Sequence, residues 1–202
     1  MSFIEISHVS KKIKDKEILR DINLSLHKGK IYGFVGRNGS GKTMLFRIIG
    51  GLATPTDGEV IIEERDIGLV IENCSLYPYF TGLKNLSILA DIKRKIGIQE
   101  IKDSMIEVGL DPEDKRVVKK YSLGMKQKLA LAQAFMEKPA ILLLDEPTNA
   151  LDSESVEIVR NLIKREADRG AVVLIASHNE EDIKELCDEI FVVSDGQVSR
   201  RS

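Results

Sequence analysis

The 202-residue chain has little cysteine. Cys74 and Cys187 are its two cysteines, far apart and without the spacing of a metal site. Two such residues are most simply buried thiols in a reducing compartment, so we expect a cytosolic protein and no disulfide framework.

Long apolar runs and a charge imbalance are also missing. No stretch approaches the roughly 20 apolar residues that span a bilayer, and the segment from Met1 to Glu5 lacks the pattern of a signal peptide. Thirty basic residues against 32 acidic ones give a net charge of −2, which does not favour a nucleic-acid partner. We therefore expect any membrane role to depend on a partner protein.

Internal repeats, low-complexity segments and long linkers are absent from the sequence as well. With 43% hydrophobic residues, the chain is long enough to bury roughly 70% of the surface that its unfolded form would expose. We therefore expect one domain over residues 1–202.

The segment from Gly36 to Thr43, Gly-Arg-Asn-Gly-Ser-Gly-Lys-Thr, fits the phosphate-binding pattern G-x-x-x-x-G-K-[ST]. The apolar run before it (30–35) predicts a strand, and the run after it (44–49) predicts a helix, the context in which this pattern binds nucleotides. A chance glycine-rich turn is the alternative, which these flanks disfavour.

In such a loop, backbone N–H groups and the helix N-terminus attract phosphate. Lys42 is expected to reach the β- and γ-phosphates, and the Thr43 hydroxyl to take one Mg²⁺ position. The expected nucleotide-binding residues of the loop are Gly36, Arg37, Asn38, Gly39, Ser40, Gly41, Lys42 and Thr43.

A pair of carboxylates follows the apolar run 141–144. If this run is a buried strand, its end can bring Asp145 beside the phosphates to hold Mg²⁺, directly or through water. Glu146 can then polarise an attacking water as a general base. A solvated pair at a strand end is the alternative, and the phosphate-binding loop upstream makes it less favourable.

Hydrophobic periodicity predicts an α/β protein. Runs 3–9 and 22–26 predict antiparallel strands ahead of a parallel sheet, and the region 73–138 predicts an inserted helical subdomain. The further predicted strands are 59–62, 68–71, 140–144, 171–176 and 189–193, and the main predicted helices are 123–136, 153–168 and 179–187.

The segment from Tyr121 to Gln127 resembles the signature motif of the ATP-binding cassette (ABC) family, in the form S-L-G-M-K-Q. Ser122 and Gly124 at a helix N-terminus predict an anion site. In the family this motif caps the γ-phosphate bound to the other protomer. Without the family, Ser122 would be interpreted as a helix N-cap.

The resemblance extends over nearly the whole chain. The segment from Asn149 to Asp152 resembles the family's D-loop, and His178 resembles its switch histidine, which helps to position the attacking water. A structural histidine is the alternative. The resemblance implies an α/β fold with a P-loop NTPase core, and a head-to-tail homo- or heterodimer that encloses two molecules of ATP with Mg²⁺.

The chain departs from the family at two positions. Glu72 stands where the family has a glutamine; its carboxylate could ligate Mg²⁺ but cannot donate a hydrogen bond as an amide does. Ile13 stands near the position of the aromatic residue that stacks on adenine.

The function that the resemblance implies is that of the ATPase subunit of a transporter with a separate transmembrane permease. The subunit would lie in the cytoplasm, peripheral on the inner face of the cell membrane, and its segment from Asn73 to Asn85 would dock the permease. The motif variants look most like those of exporters of peptides, antibiotics or lipids.

Two alternatives are less favourable. A cassette ATPase acting on ribosomes or DNA usually has two cassettes or a long coiled coil, whereas this chain has one cassette and a short segment between Thr43 and Ser122. A P-loop kinase would not explain the signature or His178.

The isoleucine at position 13 predicts weak base discrimination. Stacking of a base on an aromatic ring is worth about 1–3 kcal/mol, and isoleucine has no π surface. We expect similar affinities for ATP and GTP, a several-fold gain in ATP affinity for Ile13→Tyr, and loss of binding for Lys42→Ala. Nucleotide titration of the three proteins tests this; a strong native preference for ATP without a gain from tyrosine would contradict it.

Overall fold

The computed structural model describes residues 3–71, 76–178 and 180–201. Its strands are β1 (Ile4–Ile13), β2 (Lys16–Leu26), β3 (Ile31–Val35), β4 (Asp57–Ile62), β5 (Ile67–Val70), β6 (Ile141–Asp145), β7 (Val172–Ser177), β8 (Glu189–Ser194) and β9 (Gln197–Arg200). Its α-helices are α1 (Lys42–Ile49), α2 (Gly82–Lys93), α3 (Ile98–Glu107), α4 (Leu123–Phe135), α5 (Ser153–Asp168) and α6 (Glu180–Leu186), and a 3₁₀ helix covers Val118–Lys120.

The N-terminal strands form an antiparallel sheet with the order β2-β1-β4. Ile4 pairs with Leu26 on one side and with Ile62 on the other. The predicted antiparallel strands are confirmed, but β1 and β2 extend further than the pattern indicated. Their distal halves carry mostly polar residues, and pairing of the backbones rather than burial of side chains keeps them extended.

The main sheet has the order β5-β6-β7-β3-β8-β9. Its first five strands run parallel, and β9 pairs antiparallel with β8 as an edge. β7 is buried along its whole length, as is usual for a strand with both faces covered.

The strand β9 was missed by the sequence analysis. It is a polar edge strand joined to β8 by Asp195 and Gly196, both with positive φ (49° and 77°). Asp-Gly is a known signal of a hairpin turn, so this dipeptide could have indicated that a further strand follows β8.

Two hydrophobic clusters cover the two faces of the main sheet. Along β6, Leu142 and Leu144 belong to the cluster shared with the helices α4 and α5. Ile141 and Leu143 belong to the cluster shared with α1 and the N-terminal sheet. Alternate residues of one strand therefore contribute to both cores.

Residues 81–136 contain α2, α3, the 3₁₀ helix and α4. Thr81 caps α2 by accepting a hydrogen bond from the Lys84 N–H group at 3.2 Å. A bidentate ion pair between Glu107 of α3 and Arg165 of α5 joins this helical region to the core. The predicted start of the region at residue 73 lies outside the described residues.

Two further observations concern membrane-spanning helices and the cysteines. Within the described ranges, no helix has the length and apolarity needed to cross a bilayer. Cys187 is a free thiol packed below Gly33, and burial raises its pKa to about 12, so the thiol stays protonated. Cys74 lies outside the described residues.

Leu143, which is fully buried in the centre of the main sheet, predicts a large stability effect. Leu143→Ala should lower the free energy of unfolding by about 2–5 kcal/mol, because it removes buried methyl groups and leaves a cavity. The matched control is Leu52→Ala, since Leu52 is 60% exposed and should lose far less. Urea denaturation of both variants tests this; equal losses would contradict the assignment of the core.

Candidate functional site

The loop of residues 36–41 connects the end of β3 to the start of α1, as the sequence predicted. Gly41 has a φ of +114°, a conformation that favours glycine, and the Leu19 side chain lies 2.8 Å from where a Cβ would stand. The glycine therefore allows both the turn and the close packing of β2 against the loop.

The Lys42 ammonium group lies across this loop. Lys42 is 6% exposed, and its Nζ atom donates to the carbonyl oxygens of Gly36 at 2.6 Å and of Arg37 at 3.2 Å. The buried Oγ of Ser40 has no hydrogen-bond partner among the described residues. The Lys42 ammonium group and the unpaired Ser40 hydroxyl lie in the same loop, and both could bind the oxygens of a phosphate ligand.

Thr43 and Asp145 lie in contact. The Thr43 hydroxyl donates to Asp145 Oδ2 at 2.6 Å, which links the first turn of α1 to the end of β6. Hydroxyl and carboxylate oxygens suit Mg²⁺. Within the part of the chain that the structure describes, no three His, Cys, Asp or Glu side chains cluster as metal ligands, so a metal here would need oxygens from a ligand or water. Glu72 lies outside the described residues.

Glu146 is held in an unusual backbone conformation, with a φ of +52°. Its N–H group donates to the Ala176 carbonyl at 2.8 Å. Its Oε1 accepts from the His178 N–H at 3.0 Å and lies 2.8 Å from His178 Nδ1, while its Oε2 accepts from the Ser177 hydroxyl at 3.2 Å. Such strained residues are concentrated at functional sites.

This geometry brings together the two residues predicted to be catalytic, Glu146 and His178. It also shows a residue to which the sequence analysis gave no role, Ser177, which is 2% exposed and bonded to the Glu146 carboxylate. The signal for it was its position at the end of a buried parallel strand beside β6.

Ser122 is the N-cap of α4. Its hydroxyl oxygen accepts from the Met125 N–H at 3.2 Å, so the N-cap interpretation is confirmed. A Cβ on Gly124 would lie 2.8 Å from the Ala150 carbonyl oxygen. The glycine is therefore needed for close packing of α4 against the segment from Asn149 to Asp152.

Gln127 makes two contacts that the sequence did not predict. Its Nε2 atom donates to the carbonyl oxygens of Glu146 at 3.2 Å and of Pro147 at 3.1 Å. α4 is thus attached to the segment that follows β6.

Asp152 caps α5. Its carboxylate accepts from the Ser155 N–H at 2.8 Å, and hydrogen bonds from Ser155 keep its pKa below the ordinary value. This carboxylate therefore stays ionised at neutral pH.

A cleft of about 630 Å³ lies between these elements, a size suited to a small organic ligand. Of the predicted loop residues, it is lined by Asn38, Gly39, Gly41, Lys42 and Thr43. Asp145 and Glu146 line it as well, and so do Leu123 and Gln127 of α4.

Other predicted residues lie outside this cleft. Gly36, Arg37 and Ser40 line a smaller depression on the β8 side of the loop, and His178 lines another. Ser122 and Gly124 are not among the residues that line the cleft.

The wall of the cleft toward the N-terminal sheet is formed by Lys16 and Ile18. Ile13 pairs with Lys16 across the hairpin and is 45% exposed, so it lies next to the cleft but does not line it. Ile18 and the Lys16 stem are therefore the apolar surfaces that this wall presents to the cleft.

Comparison with known proteins identifies the family. The model of the family described as ABC transporter matches residues 19–149. The chain belongs to the ABC transporter family. Membership of this family explains why the phosphate-binding loop, the carboxylate pair and the signature occur in one chain. This chain is an ATP-binding subunit that powers a membrane transporter.

Three similar ABC proteins come from bacteria. An uncharacterised ABC transporter ATP-binding protein of Bacillus subtilis, YybJ, is 44% identical over 96% of this chain and 94% of its own length. The bacitracin transport ATP-binding protein BcrA of Enterococcus faecalis is 35% identical over 96% of this chain and 67% of its own. The lantibiotic transport ATP-binding protein SrtF of Streptococcus pyogenes is 33% identical, over 96% and 88%.

Solved ABC cassettes share the fold. A dimeric cassette in a post-hydrolysis state, bound to ADP and phosphate, matches with a TM-score of 0.90 and 26% identity, over 98% of this chain and 97% of that one. An ATP-binding subunit of an ABC transporter matches with a TM-score of 0.90 at 22% identity, over 100% and 90%. The predicted fold class is confirmed.

Proposed function

We propose that this subunit hydrolyses Mg²⁺-ATP within a dimer of ATPase chains and so drives a separate membrane permease from the cytoplasmic face. The observation that carries the proposal is the contact set at the ends of β6 and β7. There, Thr43 is bonded to Asp145, and Glu146 is bonded to Ser177 and His178.

The phosphate-binding loop would hold the triphosphate. Its backbone N–H groups and the N-terminus of α1 attract the anion, and Lys42 is already placed over the loop. Thr43 and Asp145 would hold Mg²⁺, with Glu72 as a further proposed ligand. When bound, the metal neutralises charge on the β- and γ-phosphates.

Glu146 would act as the general base. It would take a proton from the attacking water as the water oxygen bonds to the γ-phosphorus and the bond to ADP breaks. The contacts from Ser177 and His178 fix the orientation of this carboxylate. His178 lies next to it, where it would help to orient the water.

The signature end of α4 supports the dimer. Ser122 is exposed, and Leu123 beside it is 66% exposed, so this helix N-terminus is open to a ligand from outside the chain. We propose that it caps the ATP held by the partner protomer. Dimeric solved cassettes at 26% and 27% identity support the dimer that this arrangement requires.

An exposed aromatic patch supports the permease partner. Tyr77, Tyr79 and Phe80 are 48%, 71% and 42% exposed. Asn85, 1% exposed, fixes their loop by accepting from the Tyr77 N–H at 2.7 Å and donating to the Thr81 carbonyl at 2.9 Å. A rigid loop that presents aromatic side chains is typical of a protein interface.

The class of cargo is suggested by the relatives. BcrA and SrtF are named for transport of bacitracin and of a lantibiotic. We propose that the partner permease of this chain exports peptide antibiotics or similar amphipathic molecules.

The general base can be tested with Glu146→Gln. The amide cannot take a proton from water, so ATP turnover should fall roughly 10²–10⁴-fold while Mg²⁺-ATP still binds. The ATP-bound dimer should then accumulate on size-exclusion chromatography. Glu64→Gln, an exposed residue in the turn after β4, is the matched control and should keep normal turnover. Normal turnover of Glu146→Gln would refute the assignment.

The composite site can be tested by mixing two inactive chains. Ser122→Asp preserves the cap, since aspartate is a good N-cap, but brings a negative charge to the proposed phosphate contact. Neither it nor Lys42→Ala should hydrolyse ATP alone. Their mixture should regain activity, because each heterodimer contains one intact site.

Ser122→Asn is the matched neutral control for this experiment. It also caps the helix and carries no charge, so it should keep most of the turnover. Full activity of Ser122→Asp alone, or no recovery on mixing, would contradict the shared site. Gly124 is unsuitable as the probe, because any side chain there would strike the Ala150 carbonyl of its own chain.

A further inference from the structure

The side-chain amide of Gln127 lies between two carbonyl oxygens. Its Nε2 atom is 3.2 Å from the Glu146 oxygen and 3.1 Å from the Pro147 oxygen. Both neighbours only accept hydrogen bonds, so the amide nitrogen must face them and both of its hydrogens are used. The orientation of this amide is therefore determined by its partners.

The segment that Gln127 contacts is the one that carries the general base. Glu146 has a φ of +52°, a strained conformation that persists only where its surroundings hold it. Pro147 has no N–H group to contribute to this support. The Glu146 carbonyl also accepts from the Asn149 N–H at 3.2 Å, which closes a tight turn. Gln127 therefore donates to a carbonyl that already belongs to this turn.

The same face of α4 contacts the next part of this segment. Gly124 precedes Gln127 by three residues, so both lie on one face of the helix. Gly124 packs against the Ala150 carbonyl at a distance that leaves no room for a side chain. α4 is therefore attached to residues 146–150 at two points, one turn apart.

We infer that Gln127 is a positioning residue that couples the two ATP sites of the dimer, an inference that rests on the proposed function. The N-terminus of α4 caps the ATP of the partner protomer, and Gln127 on the same helix fixes the backbone of Glu146 in its own protomer. Binding at one site restrains α4, and α4 then holds the base of the other site in its working position.

The first test is Gln127→Glu in the full chain. This change keeps the shape of the side chain but turns a donor into a carboxylate oxygen that faces two carbonyls. Two hydrogen bonds of ordinary strength are lost, so ATP turnover should fall about tenfold or more. The Hill coefficient for ATP should fall from above one to one.

Gln133→Glu is the matched control, since Gln133 lies on the same helix and does not line the cleft. It should leave turnover and the Hill coefficient unchanged. Equal effects of both variants, an unchanged Hill coefficient in Gln127→Glu, or a Hill coefficient of one in the unmodified protein would each overturn the coupling.

The second test asks which protomer needs Gln127. In the mixed dimer of Ser122→Asp and Lys42→Ala chains, the one intact site takes Glu146 from the Ser122→Asp chain. Adding Gln127→Glu to that chain should lower turnover about tenfold, because the amide positions Glu146 of its own protomer even when the other site is empty. Adding it to the Lys42→Ala chain should change turnover less than twofold. The reverse pattern, or equal losses, would overturn the inference.

The proposed function fails in a different way. If the unmodified chain does not hydrolyse ATP, or if mixing restores nothing, the proposed function itself is refuted. If hydrolysis and mixing behave as proposed, but Gln127→Glu has the same turnover and Hill coefficient as Gln133→Glu, the inference is refuted and the proposed function stands.

Discussion

The hydrogen bond from Thr43 to Asp145, 2.6 Å long, is the contact on which the arrangement of the site depends. It joins the start of α1 to the end of β6, two elements that are far apart in the sequence. Because Thr43 directly follows Lys42 and Asp145 directly precedes Glu146, this one bond sets the distance between the phosphate-binding residues and the base. Displacement of either element would move the phosphate-binding residues away from the base.

The order of strands in the sheet makes this contact possible. β6, β7 and β3 are neighbours and run parallel, so their carboxyl ends meet at one edge. Asp145, Ser177 and Val35 end these strands, and the loop of residues 36–41 begins there. Ligands of open α/β sheets bind outside such an edge, where the strand ends supply the polar groups. Hydrophobic clusters cover both faces of this sheet, and their packing holds the strand ends in place.

The contact between α4 and residues 146–150 has a different character. The contacts that the structure describes there include one amide between two carbonyls and one glycine beside a carbonyl. Such a contact is short-ranged, so a small rotation of α4 would break it. By contrast, the bidentate pair of Arg165 and Glu107 connects the helical region to the core through long, exposed side chains that can follow a displacement. The base is thus linked to α4 by contacts that tolerate less displacement than this ion pair does.

The sequence by itself determined the features that local pattern encodes. The apolar runs of β3, β6 and β7, the phosphate-binding loop and the carboxylate pair were visible because each occupies a few consecutive residues. Only the tertiary structure decided that Gln127 bonds to the Glu146 backbone, that Ser177 holds its carboxylate, and that Ile18 rather than Ile13 lines the cleft. These contacts join residues distant in sequence or depend on how a strand is rotated, and neither periodicity nor spacing carries that information. The polar edge strand β9 escaped for a related reason, since backbone pairing with β8 and not side-chain burial holds it in place.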